Sequence, residues 1–211
     1  MGLPEGVARS NNEQMPVSRA SMCSLLVLAC LMLAAPVARA QAPAAVPPAP
    51  APVAGPSPEL AALLAEGDAA YAVRDQPGKM ELDLAALRKA EKLAPADYEV
   101  LWRLARHHYW TADDPQITNE EKARIGKLAW EYGDRASQAG PGRVEGWFFA
   151  SSGVGMYSLG ISIVTALLDG MESKYLDRLK KAQAADPTFY QHGADVAWGR
   201  YWYELPWPKY D

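Results

Sequence analysis

Three histidines, two acidic doublets and a Ser-Ser-Gly triplet are the residues of this chain whose types suit catalysis or metal binding. His107 and His108 are adjacent, so on a helix they point about 100° apart and cannot share a metal from one face. His192 lies on a different segment, and a His107/His192 pair is the one metal combination these positions offer. Histidines satisfied in a core or facing solvent are the expected reading, with no metal and no cofactor. Asp113-Asp114 and Glu120-Glu121 surround one loop, but a divalent cation needs more oxygens in a fixed loop. A solvated helix start accounts for them better. Ser151-Ser152-Gly153 lacks the nucleophile-elbow pattern, and neither a phosphate loop, a dinucleotide fingerprint nor a pair of catalytic acids is present. No enzyme is expected.

Aromatic side chains are the more unusual resource. The chain has 7 Trp and 10 Tyr, and many of them crowd between Trp102 and Trp207. Trp102, Tyr109, Trp147 and Trp198 could line an apolar groove, with Arg103, Arg106 and Arg200 capping it to hold a carboxylate end. Whether they meet depends on the elements that carry them.

Those elements follow a period. Lys89 to Pro95 reads KAEKLAP, Arg135 to Pro141 reads RASQAGP, and Lys181 to Pro187 reads KAQAADP; the prolines at 95, 141 and 187 are 46 residues apart. Equal intervals of this size mark a helical repeat. In each stretch alanine (90, 136, 182) permits close helix approach, a basic residue complements the helix C-terminal dipole, and proline ends the helix. A second apolar helix follows each proline. Its period-related positions partly agree: Tyr98, Val144 and Tyr190; Leu104, Ala150 and Val196; Ala105, Ser151 and Ala197. In such an array these first helices line the concave face, which is where partners and ligands bind. The patterning predicts helices over 58–74, 80–93, 97–111, 119–138, 143–168, 171–185 and 189–204, with no strand. The fold class is therefore all-α, a helical repeat solenoid or bundle of about seven antiparallel helices.

The N-terminal part has a different character. Arg9 and Arg19 precede the apolar run Leu25 to Ala35, and Ala38-Arg39-Ala40 offers a small-residue cleavage site, so residues 1–40 read as a secretory signal peptide. Val27-Leu28-Ala29-Cys30 has a weak lipoprotein character, but apolar sequence continuing past Cys30 argues against lipidation. Cleavage after Ala40 removes both cysteines, Cys23 and Cys30, and with them any thiol catalysis or zinc–cysteine site. Residues 41–57 are Ala/Pro-rich and uncharged, an extended disordered linker, and residues 58–211 form the repeat domain. The exported product would carry 18 basic and 23 acidic side chains, which gives no electrostatic case for nucleic acid.

Trp147 to Leu168 runs 22 residues without a charge, long enough to span a bilayer. Its serines and glycines, and its place inside the 46-residue lattice, favour a buried core helix instead. Gly153, Gly155 and Gly160 then serve tight helix contact.

The phrase A-x-x-x-A/L-x-P followed by an apolar helix resembles the tetratricopeptide repeat. Ala90, Leu93 and Pro95 match its second-helix alanine and closing proline, and Leu104 and Ala105 match the large and small pair of its next helix, although that repeat is usually about 34 residues long. Three phrases in order, LWRLARHHYW, VEGWFFASSGVGMYSLGISIVTALLDGM and LKKAQAADPTFYQHGADVAWGRYWYELPWP, are similar to a narrower family. It contains the T component of tripartite periplasmic (TRAP-type) transporters and is similar to the regulator-of-microtubule-dynamics proteins. The resemblance implies a non-enzymatic binding or adaptor protein of the periplasm or cell envelope. It would dock a solute-binding protein, hold an apolar or carboxylated ligand, and touch the membrane only peripherally. The alternative is a protein–protein scaffold of the envelope with no small ligand.

Overall fold

A computed structural model of the chain describes Gly55 and residues 57–205. The expected signal peptide lies outside the described residues, as do nearly all of the Ala/Pro-rich linker and the last six positions. The described residues form eight helices and no strand: α1 (Pro58–Ala72), α2 (Lys79–Leu93), α3 (Tyr98–Ala112), α4 (Asn119–Ala139), α5 (Val144–Gly160), α6 (Ile163–Leu168), α7 (Met171–Ala185) and α8 (Phe189–Glu204). The protein is all-α.

Local sequence explains most of the ends. Ser57 accepts the Leu60 amide and Pro58 opens α1, where its missing N–H costs nothing. Asp97 accepts the Glu99 and Val100 amides at the start of α3. Thr118 and Glu121 form a reciprocal capping box on α4. The three Ala-to-Pro junctions share one geometry. The amides of Ala94, Gly140 and Asp186 donate to the carbonyls of Ala90, Ala136 and Ala182 at 2.9, 2.9 and 3.0 Å. Three residues later Asp97, Arg143 and Phe189 donate back to the carbonyls of Ala94, Gly140 and Asp186. All three alanines are fully buried.

A continuous core joins Leu60 and Leu64 of α1, Leu87 of α2, Val100, Leu101 and Leu104 of α3, Tyr132 of α4, and Phe148 and Phe149 of α5. The tightest pair is α4 with α5. Gly126 and Gly133 on α4, and Gly146, Gly153 and Gly160 on α5, recur every seven residues. A Cβ added at Gly133 would lie 2.5 Å from the Ala150 amide nitrogen, and one at Gly153 would lie 2.3 Å from that of Trp130. These contacts are backbone against backbone, so only glycine fits.

Two features depart from the expected helix plan. The segment 143–168 is not one rod: it breaks at Ile161-Ser162, where Ser162 has φ 76° and caps α6 by accepting the Thr165 amide. A Cβ at Gly160 would already meet Ala123 near the start of α4. Beyond that point α5 has no seam partner, and the chain turns. Among the described residues no helix is long and apolar enough to cross a membrane. The second departure follows Pro187. Tyr190, Gln191 and His192 adopt left-handed φ values of 55°, 55° and 62°, each costing about 1 kcal/mol or more. Consequently Val196, one period after the fully buried Leu104 and Ala150, is 69% exposed.

Candidate functional site

The left-handed turn rotates α8 away from the lattice and leaves a cavity of about 290 Å³ beside α5. Phe148, Ser152, Gly155 and Leu159 line it from α5 at helical spacing, on a stripe distinct from the seam glycines 146, 153 and 160. Gly155 belongs to this wall rather than to the seam: a Cβ there would meet only the Tyr175 ring, at 3.3 Å. Tyr109 and Trp110 of α3, Ile163 and Leu167 of α6, and Met171, Glu172 and Tyr175 of α7 extend the wall. From α8 come Gly193, Val196, Ala197, Arg200, Tyr201 and Glu204, again one helical stripe.

Aromatic packing and three hydrogen bonds of tyrosine hydroxyls tie the turn and α8 to their surroundings. Tyr190 stacks on Phe148 at 5.8 Å, and its hydroxyl meets that of Tyr71 on α1 at 2.7 Å. The Tyr175 hydroxyl donates to the Ala197 carbonyl at 3.0 Å, and the Tyr201 hydroxyl donates to Glu172. Tyr175 and Tyr201 stack at 5.9 Å. Burial pushes the Tyr109 phenol up to about 12, with Asp113 adding to it; burial and then Glu172 push Tyr201 up to about 12. Burial raises Tyr175 as well. At neutral pH these phenols are therefore uncharged. The Trp110 indole Nε1 is buried without a hydrogen-bond partner. Arg200 is held by Asp113 at 3.2 Å and approached by Glu204 at 3.9 Å.

Of the seven residues that the sequence singles out for a groove, Tyr109 and Arg200 line this cavity. Trp102, Arg103 and Arg106 sit elsewhere, at the α1–α3 contact. Asp68 accepts from Arg103 Nη2 at 2.8 Å and from Arg106 Nη2 at 2.8 Å. Arg106 lies 3.7 Å over the Tyr71 ring, and Trp102 donates to Glu99 at 2.8 Å. Burial opposes ionisation of Asp68, but the two guanidinium groups outweigh it and hold its carboxyl below the usual range. Trp147 donates to the Pro141 carbonyl at 3.0 Å and lies under Lys181. Trp198 packs edge-on against Tyr201 at 5.8 Å. The signal that finds the cavity wall in sequence is the stripe 148, 152, 155 and 159 on α5, repeated on α8 as 193, 197, 200 and 204.

A second polar centre lies between α2 and α3. His107 Nδ1 meets Asp83 Oδ2 at 2.8 Å, with Asp83 fully buried and its Oδ1 unpartnered. His107 Nε2 is 3.4 Å from Thr111 Oγ1. The order carboxylate, imidazole, hydroxyl matches a nucleophile relay, but the Thr111 hydroxyl donates to the His107 carbonyl at 2.9 Å. Its proton is directed away from the imidazole, so Thr111 is not activated. Beside it, burial first, and then the neighbouring His107, Arg88 and Arg124, push the His108 imidazole down to about 3. His192 is remote from this pair in the chain and pairs with Asp195 at 3.5 Å. Among the described residues no three His, Cys, Asp or Glu side chains gather as a metal site.

Comparison with known proteins adds no assignment to this geometry: no family model, no curated protein and no solved structure matches the chain.

Proposed function

We propose that this chain is an exported, non-enzymatic helical-repeat protein that binds an apolar ligand in the cavity between α3, α5, α6, α7 and α8. One observation carries the reading: a hollow of about 290 Å³, walled by aromatic and aliphatic side chains, beside a seam where α4 and α5 close backbone to backbone. Apolar pockets with a few convergent polar groups are the usual form of small-molecule sites, and this one is at the small end of their range. The signal-peptide layout supports a periplasmic or envelope location. The similarity of three ordered phrases to the T component of TRAP-type transporters supports an accessory role in tripartite transport, with a solute-binding protein as partner. Neither nucleic acid nor a membrane-spanning anchor enters this reading; membrane contact is peripheral.

The test is native mass spectrometry of the full chain purified from its exporting host. A retained small apolar mass is expected, and its loss in Gly155→Leu, where the new side chain fills the cavity, ties it to this site. A clean mass after mild purification, with no uptake of added alkyl ligands, overturns the reading. A scaffold without a small ligand is the second reading, favoured by apolar side chains exposed on α6 and α8: Leu168 at 83% and Tyr203 at 84%. Exposed apolar surface of this kind suits a protein partner, and co-purification of an envelope protein with unliganded chain would select it.

A further inference from the structure

Among the described residues, the hydroxyl groups that line the cavity are engaged with one exception. Ser152 and Ser158 donate to the Phe148 and Val154 carbonyls of their own helix at 3.0 and 2.8 Å. Tyr175 and Tyr201 donate to the Ala197 carbonyl and to Glu172, and the Tyr190 hydroxyl meets that of Tyr71. The exception is Tyr109. Among the described residues its hydroxyl has no hydrogen-bond partner, and unlike the Trp110 indole Nε1 it is not sealed from the surrounding space. Its ionisation responds to Asp113, Arg200 and Tyr190, and that of Tyr175 responds to it in turn. The hydroxyl therefore stands on the side of the hollow where α3 faces α7 and α8. Arg200, beside it, already holds Asp113 at 3.2 Å. What this corner offers a ligand is one uncharged donor.

Resting on the cavity reading above, we infer that the ligand is an uncharged single-chain molecule with a ketone or ester carbonyl, whose oxygen accepts the Tyr109 hydroxyl while its apolar chain lies along the α5 wall. The size of the hollow favours one chain rather than a two-tailed lipid. The absence of charge follows from the place itself. Burial and then Asp113 push the Tyr109 phenol up to about 12 against the opposing pull of Arg200, so an oxygen here is held from becoming an anion. A ligand carboxylate beside it would meet the same loss of water and the same Asp113. A carbonyl oxygen accepts the proton that Tyr109 has to give and brings no charge to desolvate.

The experiment is a matched titration of the full chain with 2-octanone, 1-octene and octanoate at pH 7, followed by tryptophan fluorescence and by ligand-observed NMR. In the wild type 2-octanone is expected to bind about tenfold more tightly than octanoate. Tyr109→Phe keeps the ring and removes the donor; it should weaken 2-octanone about fivefold and leave 1-octene within about twofold. The thermal midpoint of that variant checks that it is folded. Gly155→Leu should abolish binding of all three. If Tyr109→Phe affects the ketone and the alkene alike, or neither, or if octanoate binds as tightly as 2-octanone, the carbonyl assignment is overturned and the cavity reading stands. Failure of all three to bind, or unchanged binding in Gly155→Leu, overturns the cavity reading and the assignment together.

Discussion

Gly153 and Gly155 are two residues apart on α5 and face opposite kinds of neighbour. At Gly153 an added Cβ would lie 2.3 Å from the backbone of α4; at Gly155 it would meet one aromatic ring of α7 at 3.3 Å. The first belongs to a seam where two helices touch through their main chains, and the second belongs to a wall of the cavity. The contrast extends to whole regions. After Pro95 and Pro141 the chain re-enters a helix at once, and Leu104 and Ala150 are fully buried; after Pro187 a left-handed turn intervenes, and Val196 is left largely exposed at the cavity. The same junction chemistry thus produces closure twice and an opening once. The difference lies in the residues that follow, where Tyr190 is anchored by the Tyr71 hydroxyl and the Phe148 ring.

Breaking the seam should have the largest effect. Gly153→Leu is expected to leave no folded population, and Gly153→Ala to cost about 3 kcal/mol despite the gain in helix propensity. Urea denaturation followed by circular dichroism measures it, and a loss below about 1 kcal/mol would mean that α4 and α5 separate easily. His107→Ala strips the hydrogen-bond partner from the fully buried Asp83 carboxyl, and should cost about 3 kcal/mol by the same assay.

Acid should act on the closed region through His108. Its imidazole takes a proton near 6.5 when unfolded and near 3 when folded, so the unfolded chain binds more protons between those values. Stability attributable to His108 is complete above about pH 6.5 and falls as pH drops toward 3, by at most about 1.4 kcal/mol per pH unit. The difference in unfolding free energy between the wild type and His108→Gln, measured from pH 7 to 4, should show that slope; a flat difference would show that His108 is accessible to protons.

Smaller effects sharpen the comparison. Asp68→Ala removes the carboxylate that two arginines share across α1 and α3, but that group is 37% exposed, so about 1 kcal/mol is expected. Gly155→Leu should shift stability by no more than about 1 kcal/mol, since the helix-propensity gain offsets the push on Tyr175. If Gly155→Leu were as damaging as Gly153→Leu, the proposed difference between wall and seam would be lost.

Much of the helical order was legible in the chain. The basic residue, alanine and proline recurring at an interval of 46 predicted three helix ends, and each is built with the same pair of main-chain hydrogen bonds. Gly153 and Gly160 as contact residues were also readable, because small residues in an uncharged helix signal close approach. The break at Ser162 was not, since it depends on where α4 begins on the opposite side of the seam. The site was less legible than the fold. Tyr109 and Arg200 reach the cavity, whereas Arg103 and Arg106 are drawn to Asp68, a residue 35 and 38 positions away with no local mark of that role. Trp198, chosen for its type, packs on Tyr201, and the stripe through Gly193, Ala197, Arg200 and Glu204 forms the wall.

What the sequence determined by itself was helix, helix end and permitted closeness. Those follow from a few neighbouring residues: proline has no amide to donate, and glycine has no side chain to hold a partner away. Tertiary structure decided how each helix turns about its own axis, and so which aromatic rings enclose the hollow and which acids surround Arg200. That rotation maximises the summed favourable contacts with every helix packed around it, and for α8 the sum includes Tyr71 of α1, more than a hundred residues away.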